Sequence, residues 1–189
     1  MKVHQTPLPG VLRIEPVVHG DARGFFLESF RENVLAAQGI AAPFVQDNHS
    51  RSGRGVLRGL HYQREHPQGK LVRVVRGRIL DVAVDIRRGS PHFGRALAAE
   101  LDDVAHHQIY IPPGFAHGFL VLSDVADVLY RCTDYYHPAS ESGIRWDDAA
   151  LDIPWPMLDT PPRVSDKDAR LPRLSEIPVD QLPVYPGAA

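Results

Sequence analysis

Cysteine is almost absent from this chain of 189 residues, which has only Cys132. A single cysteine cannot form a disulfide within the chain, and structural disulfides are typical of secreted proteins. The first ten residues, MKVHQTPLPG, also lack the apolar core of a signal peptide. The sequence therefore predicts a cytoplasmic protein.

A charge excess and long apolar runs are lacking too. The chain has 21 basic and 23 acidic side chains, which are interspersed and give a formal net charge of -2. This balance excludes a strongly basic nucleic-acid-binding protein and an acidic disordered tail. No apolar run approaches the roughly 18 residues of a membrane span. We therefore expect neither nucleic acid nor membrane as a partner. The sequence also has no P-loop, no GxGxxG and no GxSxG motif.

Glycine and proline, by contrast, are plentiful, with 15 and 17 residues, above the roughly 12% that the two average together in proteins. This composition favours short strands joined by tight turns. Leu80, Val82, Val84 and Ile86 alternate with Asp81, Ala83 and Asp85, which predicts a half-buried strand. Similar runs recur at the spacing of an antiparallel sandwich or barrel, with strands expected at 11–14, 24–30, 44–48, 56–62, 71–75, 80–86, 95–100, 108–111, 117–121 and 127–133.

Other segments complete the predicted fold. A short helix is expected at Glu32–Gln38, with Gly39 as its left-handed stop, and a short turn at 140–146. From Ile153 on, frequent prolines exclude a central strand or a long helix, so this segment is expected to wrap over the barrel with Trp155 and Leu158 as anchors. We predict one all-β domain over 1–189, a cupin-type antiparallel jelly-roll barrel with a short N-terminal helix and a proline-rich C-terminal wrap. Its tail, 177–189, is expected to be partly disordered.

The densest polar cluster combines QDNHS at 46–50 with the strand expected at 56–62. On that strand His61 shares a face with Leu57 and Gly59, while Arg58 lies on the other face. A glycine beside an imidazole leaves room for a ligand, although a lone histidine is more often a core residue satisfied by hydrogen bonds. The polar neighbourhood here favours a functional His61.

A second histidine follows a rigid turn, P-x-G-x-x-H at 112–117, and this spacing resembles the second motif of the cupin superfamily. Metal-binding cupins typically take His-x-His and a Glu from the first motif, which here reads HYQ at 61–63. Three candidate ligands remain, His61, Glu65 and His117, and three ligands can hold a metal. The glutamine nevertheless favours a cupin without a metal.

Several further residues allow either a functional or a structural interpretation. Lys70, directly before the strand expected at 71–75, is either a solvated charge or a group that polarises a carbonyl. Arg23 and Glu28 flank two phenylalanines, an arrangement that suits a nucleotide. Tyr130 is a core residue or a proton donor in a site closed to water. The charged cluster at 165–168 becomes functional if an aspartate is buried against a histidine.

Taken together, these motifs closely resemble the dTDP-4-dehydrorhamnose 3,5-epimerase family, and they stand in the family's order from about Asp21 to Asp168. They are DxRG at 21–24, QDN at 46–48, GVLRGLH at 55–61, PQGKL at 67–71, PGFAHG at 113–118 and KD at 167–168. The resemblance implies a metal-free cupin that needs no cofactor, forms a homodimer and acts on a dTDP-sugar.

The resemblance also implies residue roles. His61 would remove the C5 and C3 protons, Asp168 rather than Asp166 would orient it, and Tyr130 would donate a proton on the opposite face. Lys70 would lie at the O4 oxygen. Contacts to the nucleotide or the sugar, some of them from the partner subunit, are implied for Arg23, Glu28, Gln46, Asp47, Asn48, Arg58, His117, Glu141 and Lys167.

The implied reaction is epimerisation at C3 and C5 of dTDP-4-dehydro-6-deoxy-D-glucose to dTDP-4-dehydro-L-rhamnose through enolates, in dTDP-L-rhamnose biosynthesis. Three alternatives stay open on sequence alone. One is a single-centre epimerase that inverts C3 or C5. The others are a metal-dependent cupin oxygenase or isomerase using His61, Glu65 and His117, and a cupin that only binds a nucleotide sugar.

Overall fold

Antiparallel strands are the main regular secondary structure of the computed structural model, which describes residues 1–187. The strands are β1 (Lys2–Gln5), β2 (Leu12–Glu15), β3 (Val18–Asp21), β4 (Gly24–Leu27), β5 (Gln46–Gly53), β6 (Leu57–Gln63), β7 (Lys70–Arg76), β8 (Arg78–Asp85), β9 (Ala96–Asp102), β10 (Gln108–Ile111), β11 (Phe115–Val121), β12 (Val125–Cys132) and β13 (Glu141–Gly143). The helices are short: α1 (Glu32–Ala36), α2 (Asp166–Ala169) and 3-10 turns at Pro138–Ser140, Ala149–Leu151, Leu174–Glu176 and Val179–Gln181.

Two sheets face each other and form the predicted jelly-roll barrel. One has six strands in the order β1-β2-β10-β7-β12-β5, and the other has five in the order β13-β6-β11-β8-β9. The main core lies between them and draws residues such as Val72, Ile109 and Val128 from the first sheet and Ile79 and Phe119 from the second. The all-β prediction is confirmed.

Each sheet is also covered on part of its outer face. Leu35 and Ile40, from the segment around α1, pack against Leu12 and Tyr110 of the six-stranded sheet. The C-terminal wrap covers the five-stranded sheet with side chains that include Leu151, Leu174 and Leu182. The rest of the outer face of the six-stranded sheet is open and carries exposed side chains on β7 and β5.

The cover by the C-terminal wrap corrects the expectation of a half-buried strand at 80–86. Leu80, Val82 and Val84 do share one face of β8, but that face packs under the C-terminal wrap. The opposite face points into the barrel, so Asp81 and Asp85 are fully buried rather than solvated. The sequence pattern could not show this, because aspartates alternate with apolar residues in the same way whether their side chains are buried in the barrel or exposed to solvent.

Other expectations differ from the structure in detail. α1 ends at Ala36, two residues before the predicted end, and Gly39 has the expected left-handed conformation with a φ of 87°. The strand expected at 24–30 is only β4, which pairs with β3 in a hairpin separate from both sheets. The turn expected at 140–146 contains β13, which extends the five-stranded sheet next to β6.

The C-terminal segment wraps the barrel as an extended chain with short helical turns. Trp155 is partly buried, donates from Nε1 to the carbonyl of Trp146 and packs edge-on against that ring. Leu182 is buried, and Val184 bridges to Arg88, so residues 177–187 follow the barrel surface. Residues 188–189 of the predicted disordered tail lie outside the described residues, and the extent of disorder stays a prediction. In the described part of the chain, no helix is long and apolar enough to span a membrane.

Candidate active site

A cavity of about 490 Å³ opens between the two sheets. The five-stranded sheet contributes Arg58, His61 and His117, and the six-stranded sheet contributes Lys70 and Tyr130. The C-terminal wrap closes one side with Arg163, Val164, Ser165, Lys167 and Asp168. Seven of the predicted site residues therefore meet in one place: His61, Lys70, Tyr130, Asp168, Arg58, His117 and Lys167.

A bulge in β6 explains how Arg58 and His61 come to line the same cavity. His117 of β11 is paired with His61, but Phe119, two residues on, is paired with Arg58, three residues away on β6. The extra residue reverses the alternation of side chains along β6. The expectation that Arg58 lies on the face opposite His61 is therefore wrong, because strict alternation does not hold across a bulge.

His61 forms a close pair with Asp168. Its Nε2 lies 2.7 Å from Oδ1 of Asp168, although 107 residues separate the two in the chain. The other carboxylate oxygen accepts the backbone N–H of Gly59 at 3.1 Å, and the Ser165 hydroxyl caps α2 at the Asp168 N–H. Asp168 is buried while Asp166 is exposed, so the structure shows the predicted contact.

These contacts determine the charge of Asp168 and the tautomer of His61. Burial alone would raise the pKa of Asp168, but the hydrogen bond and charge of His61, together with hydrogen bonds from Gly59 and Ser165, outweigh burial and lower it. An ionised Asp168 accepts from Nε2–H of His61, which leaves Nδ1 as the nitrogen with a free lone pair. Because the His61 side chain remains 26% exposed at the cavity, it has the arrangement of an oriented general base.

Lys70 and Tyr130 reach the cavity from the other sheet, on neighbouring strands β7 and β12. Burial lowers the pKa of Lys70, and the charges of Cys132, Asp81 and Glu141 offset the effect only in part. Burial raises the pKa of Tyr130. Tyr130 therefore keeps its proton at neutral pH, while Lys70 gives up its proton more readily than a solvated lysine does.

His117 also pairs with a carboxylate. Its Nε2 lies 2.8 Å from Oδ2 of Asp81 on the adjacent strand β8, and both side chains are buried. Asp81 is a site residue that the sequence analysis missed, because it was assigned to the polar side of a half-buried strand. The alternating pattern at 80–86 would have revealed it only if the covering wrap had been known.

A smaller pocket of about 300 Å³ adjoins the cavity and shares His61, Lys70 and Tyr130 with it. Gln46, Asn48 and Glu141 from the predicted set line this pocket, together with Tyr136. Glu141 accepts the Tyr136 hydroxyl at 2.6 Å and lies 2.5 Å from Lys167. Tyr136 is not among the predicted site residues, and its place in the wall of the pocket fits a binding role.

Three predicted binding residues lie elsewhere in the single chain. Asp47 is on the opposite face of β5 from Gln46 and Asn48, where it lies 3.7 Å from Arg131. Arg23 and Glu28 pair with Asp21 and Arg31 at the surface. Asp47 does not line the cavity of its own chain because β5 alternates regularly at this point, and its contact to the substrate stays a prediction. Arg23 and Glu28 do not reach the cavity of their own chain.

The site gives little support to a metal centre. Gln63, which replaces a possible ligand, donates to the carbonyls of His66 and Tyr135 and accepts from the N–H of His137. Glu65 is exposed and lines neither the cavity nor the adjoining pocket. Within residues 1–187, no group of three or more His, Cys, Asp or Glu side chains is arranged to hold a metal ion.

The polar groups of the cavity suit an anionic substrate instead. Four cationic side chains line it, Arg58, Lys70, Arg163 and Lys167, against the carboxylate of Asp168. The hydroxyl of Ser50 is buried at the cavity wall without a hydrogen-bond partner among the described residues. A ligand with phosphate groups and hydroxyls would compensate both features.

Comparison with known proteins agrees with this geometry. The sequence model of the dTDP-4-dehydrorhamnose 3,5-epimerase family matches residues 5–176. A dTDP-4-dehydrorhamnose 3,5-epimerase of Methanothermobacter thermautotrophicus is 51% identical over 177 residues, which cover 93% of this chain and 95% of the relative. One of Neisseria gonorrhoeae is 52% identical over 168 residues; the match covers 89% of this chain but only 51% of that longer protein.

Solved structures are similar over nearly the whole chain. A dTDP-6-deoxy-D-glucose-3,5-epimerase of Legionella pneumophila in complex with dTDP-4-keto-L-rhamnose has a TM-score of 0.95 and 49% identity, covering 97% of this chain and 98% of that one. A 3'-monoepimerase of Streptomyces bikiniensis in complex with dTDP-quinovose has a TM-score of 0.90 and 39% identity, covering 96% and 93%.

Proposed function

The chain belongs to the dTDP-4-dehydrorhamnose 3,5-epimerase family and is an epimerase of dTDP-rhamnose biosynthesis, and we propose that His61, Tyr130 and Lys70 carry out its chemistry. The reaction inverts C3 and C5 of dTDP-4-dehydro-6-deoxy-D-glucose and yields dTDP-4-dehydro-L-rhamnose. The observation that carries the proposed roles is the position of His61 and Tyr130 on different sheets, at the wall of one cavity.

Each inversion needs a base on one face of the sugar ring and an acid on the other. The protons at C3 and C5 are acidic because the C4 ketone can take up the electron pair as an enolate. Nδ1 of His61 removes the proton, and the electron pair of the C–H bond moves to O4. Tyr130 then donates its hydroxyl proton to the same carbon from the other side. Exchange with solvent returns both residues to their starting states.

Lys70 stabilises the intermediate between these two steps. An enolate oxygen is far more basic than a ketone oxygen, so a positive donor at O4 favours the intermediate over the substrate. One such contact lowers a barrier by roughly 3–4 kcal/mol. Because its pKa is lowered, Lys70 can also share its proton with O4.

The nucleotide half of the substrate has matching groups outside the sugar site. Arg58 and Lys167 supply positive charge for a diphosphate. Gln46, Asn48 and Glu141 offer hydrogen bonds in the adjoining pocket, and the Tyr136 ring offers a surface on which a pyrimidine base can stack. These contacts place the sugar among His61, Lys70 and Tyr130.

A homodimer belongs to the same proposal. The hairpin of β3 and β4 stands apart from both sheets and exposes Phe25 by 62% and Phe26 by 71%, and the Arg23 side chain in its turn is 90% exposed. Isolated two-stranded hairpins are marginally stable in water. A second copy of the chain would cover these rings and bring Arg23 and Glu28 to the neighbouring cavity. We place this dimer in the cytoplasm, as the single, buried cysteine suggests.

Proton NMR in deuterated water tests the reaction and the base together. Wild-type protein should replace hydrogen by deuterium at both C3 and C5 of dTDP-4-dehydro-6-deoxyglucose and give the inverted sugar. His61→Ala should abolish exchange and inversion. Deuterium at one carbon only would establish the second candidate, a single-centre epimerase, which the similarity to a 3'-monoepimerase keeps open. Activity lost to a chelator and restored by a metal would contradict the proposal of a metal-free enzyme.

A further inference from the structure

The cavity contains a second histidine–carboxylate pair beside the first. His117 and His61 are direct partners across the antiparallel pairing of β11 and β6. Each histidine turns its Nε2 to a carboxylate, at 2.7 Å for His61 and at 2.8 Å for His117. Nδ1 of His117 makes no hydrogen bond to residues 1–187, and the side chain lines the cavity. A polar atom of the second pair is thus also available to substrate.

The second pair is buried more deeply than the first. The Asp81 side chain has no exposed surface, and its Oδ1 has no hydrogen-bond partner within the described residues. A buried carboxylate with an unsatisfied oxygen is costly unless a positive charge compensates it. The group hydrogen-bonded directly to Asp81 is His117. The other charged or titratable groups around this cavity are His61, Asp168, Lys70, Tyr130, Arg58, Arg163, Lys167 and, from the adjoining pocket, Glu141.

We propose that Asp81 holds His117 as an imidazolium and that its Nδ1–H donates a hydrogen bond to the enolate oxygen O4 beside Lys70. His117 is then a catalytic residue, and Asp81 is a positioning residue that acts through it. This inference rests on the proposed epimerase reaction and assigns to it a second donor for the oxyanion.

The chemistry balances without any added reactant. When His61 removes a carbon-bound proton, the electron pair of that bond becomes a lone pair and negative charge on O4. The imidazolium of His117 lowers the energy of that charge while keeping its proton, so no further transfer is needed. A second donor is useful here because burial lowers the pKa of Lys70, which limits how much positive charge Lys70 alone can supply.

Three variants test the pair by steady-state kinetics and by deuterium exchange into the sugar. Asp81→Asn keeps the size of the side chain but removes the charge, and His117→Gln removes the imidazolium. Each should lower kcat about 10²–10³-fold, the loss typical of one oxyanion donor, with KM within about twofold of wild type. The double variant should be no slower than His117→Gln, because Asp81 acts only through His117.

A matched control comes from the same strand. Asp85 is equally buried on the inner face of β8, but it pairs with Arg87 at 2.6 Å and does not line the cavity. Asp85→Asn should lower the melting temperature and leave kcat within about twofold. If Asp81→Asn also loses only stability, or if the double variant shows the product of the two single losses, the proposal is wrong.

Nitrogen NMR of ¹⁵N-histidine-labelled protein gives a readout independent of turnover and of whether Asp81→Asn folds. At neutral pH, wild-type protein should show the His117 resonances of a doubly protonated ring, assigned by their loss in His117→Gln. A singly protonated His117 in wild-type protein would overturn the proposal. If wild-type protein folds but neither exchanges nor inverts the sugar, the proposed function fails instead, and these resonances still decide whether Asp81 charges His117.

Discussion

One carboxylate decides which nitrogen of His61 is available. Asp168 accepts from Nε2–H, and its second oxygen is held by the backbone of Gly59. This fixes the ring orientation and leaves Nδ1 as the atom that we propose as the base. It also makes Asp168 one of the few buried charges of the chain. Asp166, two residues earlier, is exposed and has no such contact among the described residues.

Replacement of these two aspartates should therefore have opposite outcomes. Asp168→Asn keeps the size of the side chain but lets the amide donate to His61, which favours the wrong tautomer. We expect kcat to fall about 10²–10⁴-fold, as for loss of an acid–base contribution. Asp166→Asn is the matched control and should retain kcat within about twofold. Steady-state kinetics on the two purified variants provide the measurement, and a larger loss in Asp166→Asn would reassign the pair.

Removing the hydroxyl oxygen of Tyr130 should separate the contribution of this residue from that of His61. Tyr130→Phe retains the ring and removes the proton donor, while His61 can still remove a proton and return a deuteron to the same face. Deuterium exchange at the ring carbons should therefore continue, while inverted product falls by at least about 10²-fold. Proton NMR in deuterated water follows both in one sample. Inversion at the normal rate would assign the donor role to another group, such as Tyr136 or water.

At the residue level, the sequence pointed to side chains that the structure brings together in one cavity, but it did not point to all of their hydrogen-bond partners. His61, Lys70 and Asp168 were found because they lie in motifs of fixed order, and Tyr130 was found through the family that these motifs resemble. Asp81 was missed because the apolar face of β8 was expected to face the core, whereas that face packs under the wrap, which begins some seventy residues later, and Asp81 points into the barrel. Asp47 was included by its position between Gln46 and Asn48, whereas the alternation of β5 turns it away from the site.

Among the elements, the bulged pairing of β6 with β11 determines the geometry of the site. The backbones of these strands come so close that a Cβ on Gly118 would lie 2.5 Å from the Arg58 carbonyl oxygen and 3.1 Å from Cα of Gly59. The pairing holds His61 opposite His117. Strand positions could be predicted from alternation, but the bulge could not, because it reverses the very pattern on which the prediction depends.

Gly118→Ala should therefore damage both stability and activity. The added methyl must push β11 away from β6, and overpacking of this kind costs about 1–3 kcal/mol. We expect a lower free energy of unfolding in urea and a lower kcat, since His117 moves with its strand. Gly53→Ala is the control, because its methyl would meet only the end of the flexible Arg163 side chain at 3.2 Å and the Asp124 carbonyl oxygen at 3.7 Å. Equal effects in the two variants would contradict this account.

On the scale of the whole molecule, the exposed hairpin is the feature that a single chain does not explain. The barrel could be predicted from the sequence because many short strands with alternating apolar residues, joined by tight turns, are typical of an antiparallel sandwich or barrel. The hairpin was predicted as part of one longer strand, since nothing in the sequence shows that β4 pairs only with β3. Its two phenylalanines and the arginine in its turn are consistent with the proposed dimer.

Two hairpin variants should distinguish assembly from substrate contact. Replacing both Phe25 and Phe26 by serine should shift the protein toward monomer in sedimentation velocity and raise KM. Arg23→Gln should leave the dimer intact and raise KM about tenfold or more, as expected for loss of a charged contact to a diphosphate. Met157→Ser, at another exposed apolar side chain, is the control for both. A wild-type monomer at micromolar concentration would disprove the dimer.

In the proposed mechanism, the two faces of the sugar are served by separate sheets, with His61 on one and Tyr130 on the other. Removal of the proton then depends on His61 and Lys70, whereas the handedness of the carbon to which a proton returns depends on Tyr130. A change at the Tyr130 position alone can alter the stereochemical outcome while the groups for deprotonation are inherited intact. Such a division gives natural selection a direct route from one product isomer to another within a single fold.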